Sequence, residues 1–362
     1  MKRFNTARVA VFVGPGRSFE YPVLPLPVPA AGEVLVAVSL ATICGSDLHT
    51  FEGRRKEPTP CVLGHEAVGQ VIAVGDGRDP DLVGRRVTWT LADSCGGCRP
   101  CVDWGLPQKC ETLFKYGHAP LSSGSGLNGC YASHLLLRPG TTVVELPDAV
   151  TDAMAAPANC ALATMVSATE ACWGGGGTAV VQGAGLLGLY GCVLLRQNGW
   201  KRVLVVDLNP ARLECVKAFG GEPVLGSEVA SIPTGSVDAV FEAAGHPSVV
   251  PEGIRVLRPG GHYGLVGMVH PDSRLDLTGE ALIRKCLTVR GTHNYAPRHL
   301  RTAIGFLGAQ ATAYPWDSLV SPAFPLDQLG PAFELARTGR WPRVAVCPRV
   351  SPPPAGGVDA ES

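Results

Sequence analysis

Between Thr178 and Asp207 the chain reads T-A-V-V-Q-G-A-G-L-L-G, an apolar run to Gln197, and then V-L-V-V-D, and no other stretch narrows the fold as much. Ala179 to Gln182 has the continuous apolar character of a buried strand, Gly183-x-Gly185-x-x-Gly188 is a glycine turn, and Leu186 to Gln197 reads as a buried helix. Val203 to Val206 is a second strand that ends at Asp207. The first glycine permits a tight turn, the second lets a pyrophosphate approach bare backbone, and the third lets helix and strand pack closely. Phosphates then lie against the helix N-terminus that Leu186 and Leu187 begin, where unpaired N–H groups point outward. An acid nineteen residues past Gly188, close to the roughly 20 expected, completes a dinucleotide-binding fingerprint. A carboxylate at that strand end accepts hydrogen bonds from an adenine-ribose 2′-hydroxyl and repels a 2′-phosphate, so the expected cofactor is NAD rather than NADP. Arg212 is the nearby cation that would soften the preference. Its alternative reading is an exposed charge in a helix that Asn209 caps and Pro210 begins.

Charge removes whole classes of partner. Thirty-one basic residues balance thirty-one acidic ones among 362, without a long basic run, so the footprint of a nucleic-acid or membrane-surface binder is missing. The expected partners are small molecules and copies of the same chain. The start, M-K-R-F-N-T-A-R, lacks the apolar core of a signal peptide, and the most lipid-like run, Ala179 to Leu195, is interrupted by Gln182 and several glycines. A cytoplasmic protein is the expectation. Thirteen cysteines, an odd number, without an export signal argue against a disulfide framework and for metal binding or reduced thiols.

Along the chain, residues 1–160 are rich in Pro, Gly and short β-type runs at Ala7 to Val13, Glu33 to Ala41, Ala67 to Val74 and Arg85 to Thr90, which predicts a mostly antiparallel β-domain. Strand and helix then alternate: a helix over Ala211 to Phe219 closed by Gly220-Gly221, strands at Val237 to Glu242 and Tyr263 to Val266, and a helix near Val249 to Leu257 between them. That pattern predicts a doubly wound parallel sheet over 161–293. The remainder, 294–350, has helical runs at Pro297 to Gly308 and near Gly330 to Arg337 and a strand at Arg343 to Val346, and is expected to fold back onto the first domain. The tail, 351–362, is too rich in Pro and Gly to pack and is expected to be disordered.

Two constellations can carry metal chemistry. Cys95, Cys98, Cys101 and Cys110 form C-x2-C-x2-C-x8-C in the lobe 93–112; four thiolates within sixteen residues suit a closed, tetrahedral structural Zn²⁺, with an iron–sulfur centre or free thiols as the alternatives. The second is dispersed: Cys44 in I-C-G-S-D-L-H, His65 in L-G-H-E, and Cys160 in A-N-C-A-L-A-T. A catalytic zinc needs three protein ligands and an open position, which a Cys, a His and a Cys from different loops supply. Taken singly, each is as readily a packed core residue.

Together, C-G-S-D-L-H, G-H-E-x-x-G, the four-cysteine lobe, G-A-G-L-L-G, L-R-P-G-G and G-L-V-G, in this order over nearly the whole chain, resemble the zinc-containing medium-chain alcohol dehydrogenase family. The resemblance implies an α/β protein in which a GroES-like β-rich catalytic domain, completed by the C-terminal segment, holds an inserted Rossmann domain. It implies two zinc ions per chain, one catalytic and one structural, with NAD as hydride acceptor and an alcohol or aldehyde as substrate. Cys44, His65 and Cys160 resemble the catalytic zinc ligands, Glu66 the carboxylate that can approach the metal, Ser46 the hydroxyl that takes the alcohol proton, His49 the outer end of the proton relay, and Asp47 the acid that orients His65. Arg343, in R-W-P-R-V, stands where some members place a pyrophosphate-contacting arginine. The family also implies at least a homodimer, or a homotetramer, with the β-type run Cys286 to Val289 at or beside a sheet edge. The stretches G-R-R-K-E-P-T-P-C-V-L-G-H-E and G-T-H-N-Y-A-P-R-H-L look like the branch associated with phosphonate catabolism, which makes Arg54 and Arg55 candidate contacts to an anionic substrate. Two other readings stand beside this one: a polyol or amino-alcohol dehydrogenase, in which the third ligand is often a carboxylate rather than a Cys160, and a zinc- and NAD-binding redox sensor without turnover.

Overall fold

The computed structural model describes residues 5–170, 175–270 and 273–348; the tail 351–362 lies outside the described residues. Six parallel strands form one sheet, in the spatial order Glu222–Leu225, Arg202–Asp207, Thr178–Gln182, Val237–Glu242, Leu257–Leu265, Thr288–Gly291. Numbered along the chain this is 3-2-1-4-5-6, the Rossmann order, whose switch point lies between the first and fourth strands. The strands read as unbroken apolar runs because both faces are covered. Val181, Val205 and Phe241 pack into one cluster with the helix Leu186–Gln197, whereas Val180, Leu204 and Val240 pack into another with Val250 and Ile254. Successive side chains point to opposite faces, so the neighbours Val180 and Val181, Leu204 and Val205, and Val240 and Phe241 divide between the two cores.

The second sheet has seven strands, with Val34–Ile43 at its centre. Glu66–Val74 pairs along one side of it; along the other, His134–Leu137 takes the first half and Val344–Cys347 the second. The segment after the parallel sheet thus returns to the β-rich unit, with Phe324–Pro325 beside Val344–Cys347. Among the described residues no helix is long and apolar enough to cross a membrane.

Two local expectations are corrected. The helix expected over Ala211 to Phe219 is an α-turn at Pro210–Leu213 and a tighter 3-10 turn at Val216–Phe219. Leu213, Val216 and Phe219 are all buried, and a spacing of three residues keeps one face inward in a 3-10 turn but drifts in an α-helix. The edge strand begins at Thr288 rather than Cys286, because Cys286 ends the helix Gly279–Lys285 in the left-handed conformation, with φ 50°.

Candidate functional site

The glycine turn has three different reasons for its glycines. Gly183 has φ 107°, and a Cβ there would lie 2.9 Å from Ala244; a Cβ on Gly188 would overlap the Gly183 carbonyl oxygen. At Gly185 a Cβ would meet nothing within 4 Å. Protein packing therefore does not ask for glycine there, and the open space is what an approaching pyrophosphate requires. Gly185 also caps the helix without a side-chain hydrogen bond, which leaves its first N–H groups for a ligand.

A cleft of about 900 Å³ continues from there past Asp207, Leu208, Arg212 and Val229. Asp207 accepts from Ala184 N–H at 2.7 Å and from Asn209 N–H at 2.8 Å, which fixes the carboxylate while leaving lone pairs for ribose hydroxyls. Leu208 is 84% exposed in the wall of this cleft, an apolar face that the protein itself does not cover. The residues present fit a dinucleotide.

Cys44 caps the helix Gly45–Phe51, His65 directly precedes the strand Glu66–Val74, and Cys160 lies in a π-helical turn, Ala158–Leu162. These segments converge so that donor atoms of Cys44, His65, Glu66 and Cys160 lie within 4.8 Å of one another. Asn159 secures the turn: its side chain donates to the His65 carbonyl at 3.0 Å and the Trp89 carbonyl at 3.1 Å, and its own carbonyl accepts from the Tyr295 hydroxyl. Sequence reasoning passed over Asn159 and Tyr295; the only signal was the place of Asn159 beside Cys160.

His65 Nδ1 lies 3.5 Å from Asp47 Oδ1, leaving Nε2 for the cluster. The other Asp47 oxygen accepts from Cys44 N–H and from the Tyr131 hydroxyl, both at 3.0 Å, and Tyr131 is a second residue the sequence did not disclose. Burial opposes a charged His65, yet Asp47 and Cys44 outweigh it and push the imidazole up to about 10. A recess that draws a proton onto a buried histidine favours a cation, and two thiols with one imidazole suit Zn²⁺ with a position left open.

Glu66 is in the cluster by distance, but both its oxygens are engaged. Oε2 accepts from Thr42 Oγ1 and Arg343 Nε, each at 2.7 Å, and Oε1 accepts from Arg343 at 2.9 Å. Arg343 is thus held by Glu66, lies 3.7 Å from Cys44 Sγ, and is not among the residues lining the cleft beside Asp207. The cause is register: Val344 pairs with Ile43 and Thr42 with Glu66, which sets Arg343 beside the carboxylate.

Ser46 and His49 are three residues apart on the helix Gly45–Phe51 and therefore share a face. His49 Nδ1 is buried and without a hydrogen-bond partner among the described residues, and its ring lies 6.0 Å from that of His270, which follows the parallel strand Leu257–Leu265. The relay candidates face the junction between the two sheets. Burial, followed by the charge of Arg54, holds His49 below the ordinary imidazole value.

In the lobe, Cys98 Sγ lies 3.4 Å from Cys101 Sγ and 3.8 Å from Cys110 Sγ, and all four sulfurs lie within 4.8 Å. A zinc tetrahedron with Zn–S bonds of about 2.3 Å has edges of about 3.8 Å, so the four thiols fit a single ion. The N–H groups of Gly97 and Cys98 point at Cys95 Sγ and lower its thiol to about 6. Of the substrate candidates, Arg54 pairs with Glu52, which also holds Arg337 at 3.1 Å; Arg55 pairs with Glu57 at 2.6 Å.

A Rossmann sheet with an open glycine cradle, joined to a β-rich unit that carries a three-donor cluster and a four-thiol lobe, defines a nucleotide-dependent metalloenzyme. The alcohol dehydrogenase GroES-like domain matches residues 30–148 and the zinc-binding dehydrogenase domain matches residues 187–309. An L-threonine 3-dehydrogenase of Chelativorans sp. is 30% identical over 75% of this chain and 78% of its own length. The 5-exo-hydroxycamphor dehydrogenase of Pseudomonas putida is 28% identical over 92% of this chain and 96% of its own. Among solved structures, an alcohol dehydrogenase from Thermotoga maritima superposes with a TM-score of 0.87 at 28% identity, covering 95% of this chain and 100% of that one. The chain belongs to the zinc-containing medium-chain alcohol dehydrogenase family, whose members here are dehydrogenases, and it is accordingly an oxidoreductase.

Proposed function

We propose that this chain is an NAD-dependent alcohol dehydrogenase with one catalytic and one structural zinc ion, interconverting a primary or secondary alcohol and its aldehyde or ketone. The observation that carries the reading is the convergence of Cys44, His65 and Cys160 within 4.8 Å, in a molecule that also has the glycine cradle. When bound, zinc supplies the Lewis acidity that makes an alcohol hydroxyl acidic, and the nicotinamide accepts the hydride. The chain's own groups do the rest. Asp47 and Tyr131 fix His65 and Cys44, Asn159 holds the Cys160 turn against the His65 strand, and Ser46 takes the hydroxyl proton and passes it toward His49. Arg343 keeps Glu66 from crowding the three donors while leaving it within reach of them. The test is an NADH-absorbance screen of alcohols and aldehydes, with zinc measured on the same sample. A reconstituted protein with a single zinc per chain, or without turnover of any alcohol, would refute the reading. L-Threonine belongs in that screen, because the relative at 30% identity is an L-threonine 3-dehydrogenase.

Cofactor choice and assembly are part of the same proposal. Asp207 faces the position of a 2′-substituent, so kcat/KM with NAD should exceed that with NADP by at least about tenfold, and Asp207→Gly should narrow the gap. Equal values in the wild type would show that exposed Arg212 governs the site instead. The chain should also be at least a homodimer, joined through the edge strand Thr288–Gly291. Light scattering that returns the monomer mass of 37.8 kDa would contradict this.

A further inference from the structure

Lys115 is bridged to Ala92 and opens the turn through Tyr116 and Gly117 that returns to His118. Tyr116 points into the core, where its hydroxyl lies 2.6 Å from Thr141 Oγ1, whereas Lys115 stays half-buried. The Lys115 ammonium lies within range of the Arg55 charge and of Cys160, Cys44 and Asp47. It keeps some accessible surface, yet loss of water around it pushes its pKa down, as expected of a group that opens into a recess. Among the described residues its side chain has no hydrogen bond and no ion pair.

His118, three residues on, is a neighbour both of Lys115 and of His65. Its ring lies 5.5 Å from that of His65, and its Nδ1 lies 2.8 Å from Glu57 Oε1, which also accepts from Arg55 Nε at 2.6 Å. A carboxylate only accepts, so Nδ1 carries the hydrogen and Nε2 of the neutral ring keeps a lone pair. That Nε2 is buried and has no partner among the described residues. The fold therefore places an unpaired cation and an unpaired acceptor beside the three metal donors, and the packing of the protein uses neither. Buried polar groups without partners are costly and point to a ligand that completes them.

We infer that Lys115 and His118 form a specificity-determining subsite that binds an anionic group on the alcohol substrate, with Lys115 holding an anionic oxygen and His118 Nε2 accepting from an O–H or N–H on the same molecule. The inference rests on the dehydrogenase reading above and moves the anion contact from Arg54, which Glu52 occupies, to Lys115. Arg55 is a positioning residue: its Glu57 partner sets the His118 tautomer. Both a hydrogen phosphonate and an amino acid offer an anionic oxygen beside a donor hydrogen. A plain carboxylate offers only the first.

The experiment compares 2-hydroxyethylphosphonate, L-threonine and 3-hydroxybutyrate with propan-1-ol and butan-2-ol, in wild type, Lys115→Met and Lys115→Arg holoenzyme. Calorimetric titration with methylphosphonate and with propionate reads binding without turnover. At least one anionic alcohol should exceed the neutral ones by about tenfold in kcat/KM. Lys115→Met should remove that advantage, mostly through KM, change the neutral compounds by less than about threefold, and abolish calorimetric binding of the anion, whereas Lys115→Arg should restore part of both. The phosphonate and threonine arms separate the two sources of the anion. Neutral alcohols turned over as well as every anionic one, an equal loss for both classes in Lys115→Met, or anion binding unchanged in that variant would each overturn the proposal. If no alcohol is oxidised at all, the dehydrogenase reading fails, and calorimetry alone decides whether the anion site exists.

Discussion

Cys160→Ala is expected to lower kcat by about three orders of magnitude or more while the chain stays folded and keeps its NADH-binding site. The size follows from the several kcal/mol of charge stabilisation that a Lewis-acid metal supplies at about 1.4 kcal/mol per tenfold in rate. Intact folding follows from where the thiol sits. Cys160 is half-buried, and the π-helical turn around it is held by Asn159 and Tyr295 rather than by its own side chain. Zinc per chain should fall from about two to about one, because Cys44 and His65 alone leave the ion one protein ligand short of the usual three. Nucleotide binding should persist, since the glycine turn and Asp207 lie on strands of the other sheet. The measurements are kcat, metal content, circular dichroism and NADH fluorescence on one preparation. Near wild-type turnover, or unchanged zinc, would remove Cys160 from the site.

How much of this was legible in the sequence divides along contact range. The glycine turn, the helix Leu186–Gln197 and the strand Val237–Glu242 stand where periodicity places them, since local pattern and turn chemistry decide such elements. Cys44, His65 and Cys160 are weak candidates singly and gain weight from motif order that resembles a family, and the structure brings their donors together across 116 residues of chain. The partners that orient them stayed hidden. Tyr131 reaches Asp47 over 84 positions, Asn159 reaches the His65 carbonyl over 94, and Arg343 reaches Glu66 over 277. No spacing rule links such residues; strand register does. Arg343 shows the consequence, because motif position suggests only a cofactor contact, whereas the pairing of Val344 with Ile43 also sets it beside Glu66. Lys115 and His118 carried no signal either, because an unpaired donor is visible only after every other contact is known.

Cys98→Ser should act on stability, by a route separate from that of Cys160. The lobe has little else to hold it: its helix, Arg99–Val102, is one turn long, and Val102 and Trp104 are 60% and 55% exposed. With so little apolar surface buried, a metal held by Cys95, Cys98, Cys101 and Cys110 would be the main bond among them, and in small zinc sites metal binding and folding are one equilibrium. Loss of one thiolate should release the zinc and let the lobe open, which adds sites for limited proteolysis between residues 95 and 110. The main cores do not pass through the lobe, so unfolding there is local, and the expected fall in Tm is about 5 °C or more rather than collapse of the fold. Activity should fall in part, because Cys110 lies five residues before Lys115 and Lys109 meets His293 at 2.7 Å, so disorder in the lobe is expected to spread toward Lys115. Thermal unfolding, proteolysis and metal content, read with and without added zinc, distinguish the outcomes. A variant with unchanged Tm, unchanged cleavage and unchanged zinc content would show that Cys98 takes no part in holding a structural ion in the lobe.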